Sequence, residues 1–273
     1  MYLAIDVGGT KTLTGVFSAS GDLVETLRFE TPKTYEEFLK ELEKTIDKLT
    51  TDVAKIRSCC IALPGLVDRK TGIVHALGNL PWKEKPIGKD VSKILGIDSV
   101  ILENDARLAG LAEANVMRYS HKNILYLTIS TGIGGALIRD NHIVEELQDT
   151  EVGKMPLFFD GKIQPWEEFA SGRWLTEHFD KHASELTDAK DWQEVGDRIA
   201  LGVGALCTVL QPEAIIFGGG VGQYAEKFTD TVSEYLIENL HPVIRQPHAL
   251  RGPHYPSDAV LHGCYVLIKQ KED

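Results

Sequence analysis

Short apolar runs alternate along the chain with longer stretches in which apolar residues recur at helical spacing. Residues 35–49 predict an amphipathic helix, with Phe38, Leu42, Ile46 and Leu49 on one face. The predicted strands cover residues 2–7, 12–18, 22–30, 56–62, 98–102, 123–130, 134–140 and 213–220. The other predicted helices cover residues 88–95, 105–117, 166–179, 191–210, 223–240 and 257–270. Strands that alternate with helices in this way indicate an α/β fold.

Two segments of the chain share one design. Residues 3–17, LAIDVGGTKTLTGVF, predict a strand, a glycine turn and a second strand, and residues 125–138, LYLTISTGIGGALI, repeat that order. Because each segment opens one half of the chain, two related domains are predicted. We place residues 1–119 and the C-terminal helix at 257–273 in a smaller N-terminal domain, and residues 120–256 in a larger C-terminal domain.

The composition is typical of a globular protein. Hydrophobic residues make up 43% of the 273 residues and charged residues 25%, and the mean hydropathy is -0.12. No apolar run approaches the ~20 residues that a membrane-spanning helix needs. The first residues, MYLAIDVGGT, lack a basic stretch ahead of a long apolar one, so no secretory signal is predicted. We therefore expect a cytoplasmic protein with no membrane partner.

Charge and cysteine usage narrow the classes of partner further. The formal net charge is -11, which argues against nucleic acid because phosphate contacts need clustered Lys and Arg. The net charge does not argue against a small anionic ligand, since a few local groups suffice to hold one. The four cysteines follow no metal-binding spacing, and Cys59 and Cys60 are adjacent in an apolar strand. They are interpreted as reduced core residues.

A glycine turn after the first strand is the first candidate site. Its two glycines allow backbone N–H groups to approach an anion closely, its threonines add hydroxyl donors and its lysine adds a positive charge. The candidate phosphate-binding residues are Gly8, Gly9, Thr10, Lys11 and Thr12. Asp6, at the end of the strand, is placed to hold a divalent cation that bridges phosphates. A tight hairpin explains the same glycines equally well, and neither the P-loop nor the G-x-G-x-x-G spacing occurs.

Two further glycine clusters follow apolar strands. STGIGG, residues 130–135, is a second phosphate-compatible turn, and IIFGGGVG, residues 215–222, has a geometry suited to a base and ribose lying against flat backbone. The candidate ligand residues are Thr131, Gly132 and Gly134 in the first of these, and Gly218, Gly219 and Gly220 in the second. Each cluster alone has a structural explanation, but three such strand-end clusters favour a nucleotide.

Three polar residues, Glu103, Asn104 and Asp105, separate an apolar strand from an alanine-rich helix. A carboxylate at the C-terminal end of a strand is placed to orient a substrate hydroxyl and accept its proton. On local grounds alone, Asn104 or Asp105 is better explained as the N-cap of the helix. Glu103 is interpreted as structural.

Five motifs resemble the sugar kinases of the ROK family, within the actin and hexokinase-like superfamily. In chain order they are DVGGTK, NDARLAGLAE, STGIGGA, EEFASG and IIFGGGV. The resemblance extends from Tyr2 to about Val266. It implies two ribonuclease H-like α/β domains, with a cleft between them that closes over ATP and a sugar. The expected cofactors are ATP and Mg²⁺, with Asp6 holding the metal through water.

The resemblance also implies roles for individual residues. Asp105 takes the place of the family's catalytic base, which reverses the local preference for a cap, and its neighbour Asn104 faces the sugar. The family's phosphate contacts fall on the first two glycine turns and its adenosine contacts on the third. Its remaining sugar contacts fall on Pro64, Gly65, Asn79, Glu151, Lys154 and Glu167.

The segment 151–172 departs from the family pattern. Lys154 stands where the family has a histidine that touches the sugar and binds a structural zinc, and the loop that follows holds no cysteine. Since a tetrahedral zinc site needs four Cys or His ligands, no zinc is predicted. We expect Lys154 to donate to a sugar hydroxyl or to pair with Glu151. His178 and His182, four apart on a predicted helix, are interpreted as a solvated face.

The function expected from the resemblance is an ATP-dependent hexose kinase, acting on glucose at the 6-hydroxyl. Changed residues near Lys154 keep an alternative open, in which the substrate is N-acetylmannosamine, another amino sugar or a glucoside. A non-catalytic sugar-sensing regulator of the same family is disfavoured, because no DNA-binding segment precedes the first hairpin. The resemblance allows a homodimer.

Overall fold

The computed structural model describes residues 1–78 and 80–272, so Asn79, a predicted sugar contact, lies outside the described residues. The chain packs as two compact units. Unit 1 comprises Met1–Ala112 with the C-terminal segment that begins at Asp258, and unit 2 comprises Glu113–Ser257. The division falls inside a helix, whereas the sequence predicts it in the loop after residue 119.

The strands of the described residues follow the predicted hairpins closely and add several short pairs that the sequence does not predict. They are β1 (Tyr2–Val7), β2 (Lys11–Phe17), β3 (Leu23–Glu30), β4 (Ser58–Leu63), β5 (Gly65–Asp68), β6 (Ile73–Leu77), β7 (Lys83–Lys85), β8 (Val100–Asn104), β9 (Asn123–Ile129), β10 (Ile133–Arg139), β11 (His142–Ile143), β12 (Pro156–Phe159), β13 (Lys162–Pro165), β14 (Ala214–Gly218) and β15 (Ala249–Arg251).

The α-helices are joined by several single turns of 3-10 helix. They are α1 (Tyr35–Ile46), α2 (Ile87–Leu95), α3 (Asp105–Met117), α4 (Glu167–Ala170), α5 (Gly172–Phe179), α6 (Ala189–Leu210), α7 (Gly219–Gly222), α8 (Thr229–Asn239) and α9 (Ala259–Glu272). The 3-10 turns are Val53–Lys55, Glu145–Leu147, Val152–Lys154, Ala183–Glu185 and Ala225–Lys227. No helix in the described part of the chain is long and apolar enough to cross a membrane.

Unit 1 is built on a five-stranded sheet in the order β3-β2-β1-β4-β8. The first three strands run antiparallel to one another, and β4 and β8 run parallel to β1. Alternate residues of β1, such as Leu3 and Ile5, enter a core with α1 and α2. Tyr2 and Phe17 instead meet Tyr265 of α9. Because neighbouring residues of a strand face opposite sides of the sheet, α9 covers the face away from that core.

A three-stranded antiparallel sheet, in the order β5-β6-β7, is inserted in unit 1 between β4 and β8. It begins at Gly65, where an added Cβ would lie 2.3 Å from the carbonyl oxygen of Ala76. Only glycine permits this close strand approach. The predicted sugar contacts Pro64 and Gly65 therefore lie at the base of this inserted sheet.

Unit 2 repeats the strand arrangement of unit 1. Its sheet has the order β11-β10-β9-β14-β15, with three antiparallel strands followed by two that run parallel to β9. The core lies between this sheet and α6 and α8, and its largest fully buried side chains are Trp166, Phe217 and Phe228. The α/β fold class is thus confirmed, and the two hairpins noted in the sequence open two sheets of the same topology.

Two predicted helices differ from those in the structure. The helix predicted at 166–179 is broken at Ser171, whose hydroxyl accepts the N–H of Trp174 at 3.4 Å and so caps a new helix, α5. The helix predicted at 223–240 begins only at Thr229, because the preceding residues form α7 and a 3-10 turn.

Candidate active site

Asp6 and Asp105 form a pair of half-buried carboxyl groups in unit 1. Asp6 lies near the end of β1, and Asp105 follows the end of β8; both strands run parallel to β4, which separates them. Removal from water, reinforced by the charge of Asp105, raises the pKa of Asp6 from 3.8 to about 7. Burial also raises the pKa of Asp105, opposed by the N–H of Ala106. A carboxylate with a raised pKa is a better proton acceptor.

Asn104 is the N-cap of α3. Its Oδ1 accepts the N–H groups of Ala106 at 3.0 Å and Arg107 at 3.3 Å. Asp105 accepts the N–H of Ala106 through Oδ1 at 2.8 Å. Capping thus occupies Oδ1 of Asn104, and its Nδ2 is the group of that side chain left to donate to a ligand.

Glu103, interpreted from the sequence as structural, is buried in β8, two residues before Asp105. Arg69 donates to it through Nε at 2.7 Å and through Nη2 at 2.6 Å. Its Oε1 also accepts the N–H of Asn104 at 2.7 Å. Sequence reasoning missed Arg69, because no local pattern links a turn in the β5–β6 hairpin to the end of β8.

The first glycine turn joins β1 to β2 in unit 1. Gly8 donates its N–H to the carbonyl of Lys11 at 3.0 Å, and a Cβ at Gly8 would lie 2.8 Å from that oxygen. Gly9 is half-buried, while Thr10 and Lys11 are exposed. Thr12 differs from the other residues of the turn: it is buried, and its hydroxyl shares a 2.9 Å hydrogen bond with Thr31. The Thr12 side chain is therefore directed toward Thr31 and away from solvent.

The second glycine turn, in unit 2, is held by a buried glutamate. Glu167 accepts the N–H of Ile133 through Oε2 at 3.2 Å. A Cβ at Gly132 would lie 2.7 Å from this oxygen, so glycine is needed for the approach. Ser130 and Thr131 are exposed, and Gly134 lies in β10 opposite Thr128.

Lys154 pairs with Glu167 rather than with Glu151. Its Nζ donates to Oε1 of Glu167, and this hydrogen bond and charge raise the pKa of Lys154. Lys154 is exposed, and Glu151 is exposed at the start of the same 3-10 turn. Both oxygens of Glu167 are therefore engaged by the protein itself. The expected pairing with Glu151 fails because Glu167 presents its buried carboxylate to the lysine.

A cavity of about 570 Å³ lies within unit 2, a size within the range of small-molecule sites. It brings together the second turn, helix α5 and the third glycine cluster. The lining includes Thr131, Gly172, Thr176, His182, Gly220 and Gln223. Sequence reasoning missed the wall made by α5 and the residues after it, since its polar residues have the pattern of a solvated face.

The three glycines of the third cluster have different surroundings. A Cβ at Gly218 would lie 2.1 Å from the hydroxyl of Tyr126, and one at Gly219, where φ is +78°, would lie 2.5 Å from the carbonyl of Ile129. A Cβ at Gly220 would meet no atom within 4 Å. Gly218 and Gly219 therefore permit close packing against β9, whereas Gly220 lines the cavity.

The cysteines and the clusters of metal-ligating side chains were considered as a further candidate site. All four cysteines are buried and outside any disulfide. Within residues 1–78 and 80–272, no group of three or more His, Cys, Asp or Glu side chains is arranged to hold a metal ion.

Comparison with known proteins gives matches over nearly the whole chain. A sequence model of the ROK family matches residues 2–271. An N-acetyl-D-glucosamine kinase of Salmonella typhimurium is 27% identical, over 98% of this chain and 99% of its own.

Solved structures share the fold. The ROK family glucokinase of Streptomyces griseus, in complex with glucose and AMPPNP, has a TM-score of 0.80 at 24% identity and covers 98% of this chain and 99% of its own. A ROK family transcriptional regulator, a homolog of the E. coli MLC protein, has a TM-score of 0.86 at 19% identity, over 98% of this chain and 77% of its own.

Proposed function

We infer that this chain, which belongs to the ROK family, is an ATP-dependent sugar kinase that transfers the γ-phosphoryl group to a hydroxyl of a hexose. The observation that carries this inference is Asp105, a half-buried carboxyl group with a raised pKa where β8 meets α3. The kinase activity of full-length relatives supports the same reaction class.

Asp105 acts on the acceptor side of the reaction. Phosphoryl transfer asks for alignment of the attacking hydroxyl and stabilisation of spread negative charge rather than for covalent chemistry. Asp105 accepts a hydrogen bond from the sugar hydroxyl and orients the hydroxyl oxygen toward the γ-phosphorus. It takes the proton as the new P–O bond forms, while the bond from the γ-phosphorus to the β,γ-bridging oxygen breaks and ADP leaves. Asn104 donates through Nδ2 to a neighbouring hydroxyl.

Mg²⁺ is the metal that the family implies. It is held in proteins by one or two carboxylates together with substrate phosphates and water. Asp6 fits this donor set as a single half-buried carboxyl group beside Asp105. When bound, the metal neutralises charge on the phosphates. We propose that no zinc is required, which metal analysis of the purified protein tests.

Unit 2 binds the nucleoside of ATP in its 570 Å³ cavity. Gly220 lets the backbone approach the ligand, while Gly218 and Gly219 keep α7 seated on β9. The proposed phosphate contacts are Gly8, Gly9, Thr10 and Lys11 in unit 1 and Thr131, Gly132 and Gly134 in unit 2. Thr12 supports its turn through Thr31 and has no proposed contact through its side chain.

The proposed sugar contacts differ in the freedom of their side chains. Pro64 and Gly65 offer backbone groups at the base of the inserted sheet, and Glu151 is exposed. Lys154 and Glu167 act as a joined pair, in which the ammonium group fixes the carboxylate. Asn79, outside the described residues, is retained as a proposed contact.

Glucose, phosphorylated at the 6-hydroxyl, is the proposed substrate. N-acetylated amino sugars are a second candidate, favoured because full-length relatives at 27% identity are N-acetyl-D-glucosamine kinases. A cytoplasmic location and a homodimer stay predictions.

Coupled measurement of ADP release with a panel of sugars tests the function. The panel contains glucose, N-acetylglucosamine, N-acetylmannosamine and a methyl glucoside. We expect ADP release with at least one sugar, and Asp105→Asn should lower kcat by about 10²- to 10⁴-fold. Absence of sugar-dependent ADP release, or normal turnover by Asp105→Asn, would refute the proposed kinase. The sugar with the highest kcat/KM decides between glucose and an amino sugar.

A further inference from the structure

The ion pair between Arg69 and Glu103 joins a partly exposed guanidinium group to a buried carboxylate. Glu103 is 4% exposed, and Arg69 meets it with two parallel hydrogen bonds, one to each carboxylate oxygen. Desolvation offsets most of the attraction in such a pair, so it is a poor source of stability. The two parallel hydrogen bonds, by contrast, fix the position and the orientation of the Glu103 carboxylate.

Glu103 also holds the backbone that leads to Asp105. The same oxygen that accepts from Arg69 Nη2 also accepts the N–H of Asn104 at 2.7 Å. That N–H belongs to the residue immediately before Asp105. The peptide that leads into the proposed base is therefore held by a side chain that cannot easily move.

Arg69 itself lies in a turn that is stabilised by hydrogen bonds. Asp68 accepts the N–H groups of Lys70 at 2.8 Å and Thr71 at 3.1 Å. The turn then closes at Gly72, whose carbonyl accepts the N–H of Gly88 at the start of α2. The strand that leads into the turn, β5, begins at Gly65, one of the proposed sugar contacts.

We propose that Arg69 and Glu103 are positioning residues for phosphoryl transfer, which tie the strand that begins at Gly65 to the Asn104–Asp105 turn. This inference rests on the proposed function. Their contribution is to hold Asp105 in line with the acceptor hydroxyl, and a displacement of this kind lowers kcat more than it changes the binding of ATP.

Four variants test the proposal. Arg69→Lys keeps the charge but loses the paired geometry, and Glu103→Gln keeps the shape but loses the charge. The double variant Arg69→Met with Glu103→Leu replaces the pair by apolar side chains of similar volume, which buried sites often tolerate without loss of stability. Lys44→Met removes one half of an exposed ion pair and is the control.

Three measurements are made on each variant: sugar kinase kinetics, amide hydrogen exchange and thermal stability. We expect Arg69→Lys, Glu103→Gln and the double variant to lower kcat by about 10- to 100-fold, with KM for ATP changed by less than about 2-fold. Amide hydrogen exchange, measured without ligand, should speed up about 10-fold or more at Asn104. The double variant should keep the thermal stability of the wild type, and Lys44→Met should match it in every readout.

The outcomes separate the two proposals. A stable double variant with wild-type kcat would show that the pair serves the fold alone and would overturn the positioning role. Unchanged exchange at Asn104 in all three variants would overturn it as well, whether or not a sugar substrate has been found. A wild-type protein that releases no ADP with any sugar contradicts the kinase function instead, since the exchange measurement needs no substrate.

Discussion

Replacement of Asp6 by asparagine should stabilise the ligand-free protein at neutral pH. Burial and the neighbouring charge of Asp105 raise the pKa of Asp6 from 3.8 to about 7. Because the folded pKa lies above the unfolded one, the folded state binds the proton more tightly. The stabilisation of the folded state by this bound proton is fully present below about pH 4 and is lost as the pH rises through about 7.

The size of this effect follows from the pKa of Asp6. Between pH 5 and pH 7 the unfolded carboxyl group is ionised and the folded one is largely protonated. The free energy of unfolding of the wild type then falls by up to about 1.4 kcal/mol per pH unit, and by about 2 kcal/mol over this range, because the folded carboxyl group is half ionised by pH 7. Asparagine has no proton to lose, so Asp6→Asn should lack this part of the pH dependence.

Urea unfolding at pH 5, 6, 7 and 8, in EDTA and without nucleotide, measures the difference between variant and wild type. Asp22→Asn is the control, because hydrogen bonds from Ser20 and Ser18 lower the pKa of that exposed carboxyl group. Asp22 is thus ionised in both states over this range. A stability difference between Asp6→Asn and wild type that stays constant from pH 5 to pH 8 would refute the reasoning.

Substitutions at three further positions probe the site and its support. Gly220→Ala should leave the free energy of unfolding within about 0.5 kcal/mol of wild type, since its Cβ meets no atom within 4 Å, yet it should raise KM for ATP because the methyl group enters the cavity. Gly263→Ala should cost about 1–3 kcal/mol in urea unfolding, because its Cβ would lie 1.9 Å from the Leu108 carbonyl. Lys154→Met should lower kcat/KM for the sugar about 10-fold by releasing Glu167, and Lys154→Arg should retain most of it.

Each of these predictions has a contradicting result. Gly252→Ala is the control for Gly263→Ala, because its Cβ would meet Ala225 at an ordinary 3.5 Å. Equal stability of these two variants would contradict the predicted clash. An unchanged KM for ATP in Gly220→Ala would argue against nucleotide in the cavity. Equal sugar kinetics in Lys154→Met and wild type would remove Lys154 from the sugar site.

Local patterns in the sequence were sufficient to predict the two strand–turn–strand hairpins and the position of Asp105 at a strand–helix junction. Apolar runs separated by glycine turns mark β1–β2 and β9–β10, since both the period of a strand and the chemistry of a turn are local. The end of β8 is marked equally clearly, because three polar residues interrupt an apolar run. These features need no knowledge of distant residues.

Contacts between distant residues account for what the sequence did not predict. Lys154 reaches Glu167, and Arg69 reaches Glu103, in pairings that depend on the fold rather than on spacing. His182 was interpreted as part of a solvated helix face, yet it lines the unit 2 cavity. The short hairpin of β12 and β13 was also missed, since four-residue strands are too short to show alternation.

The repeated strand order points to an evolutionary origin for the two units. Two sheets with the same order and strand directions are what duplication of an ancestral gene segment produces. The copies differ in their insertions: β5 to β7 in unit 1, and β12, β13, α4 and α5 in unit 2. Arg69 lies in the first insertion, Lys154 lies directly before the second, and the α5 wall of the cavity belongs to the second. Selection for a new substrate can therefore alter these added segments while the two five-stranded sheets keep their strand order.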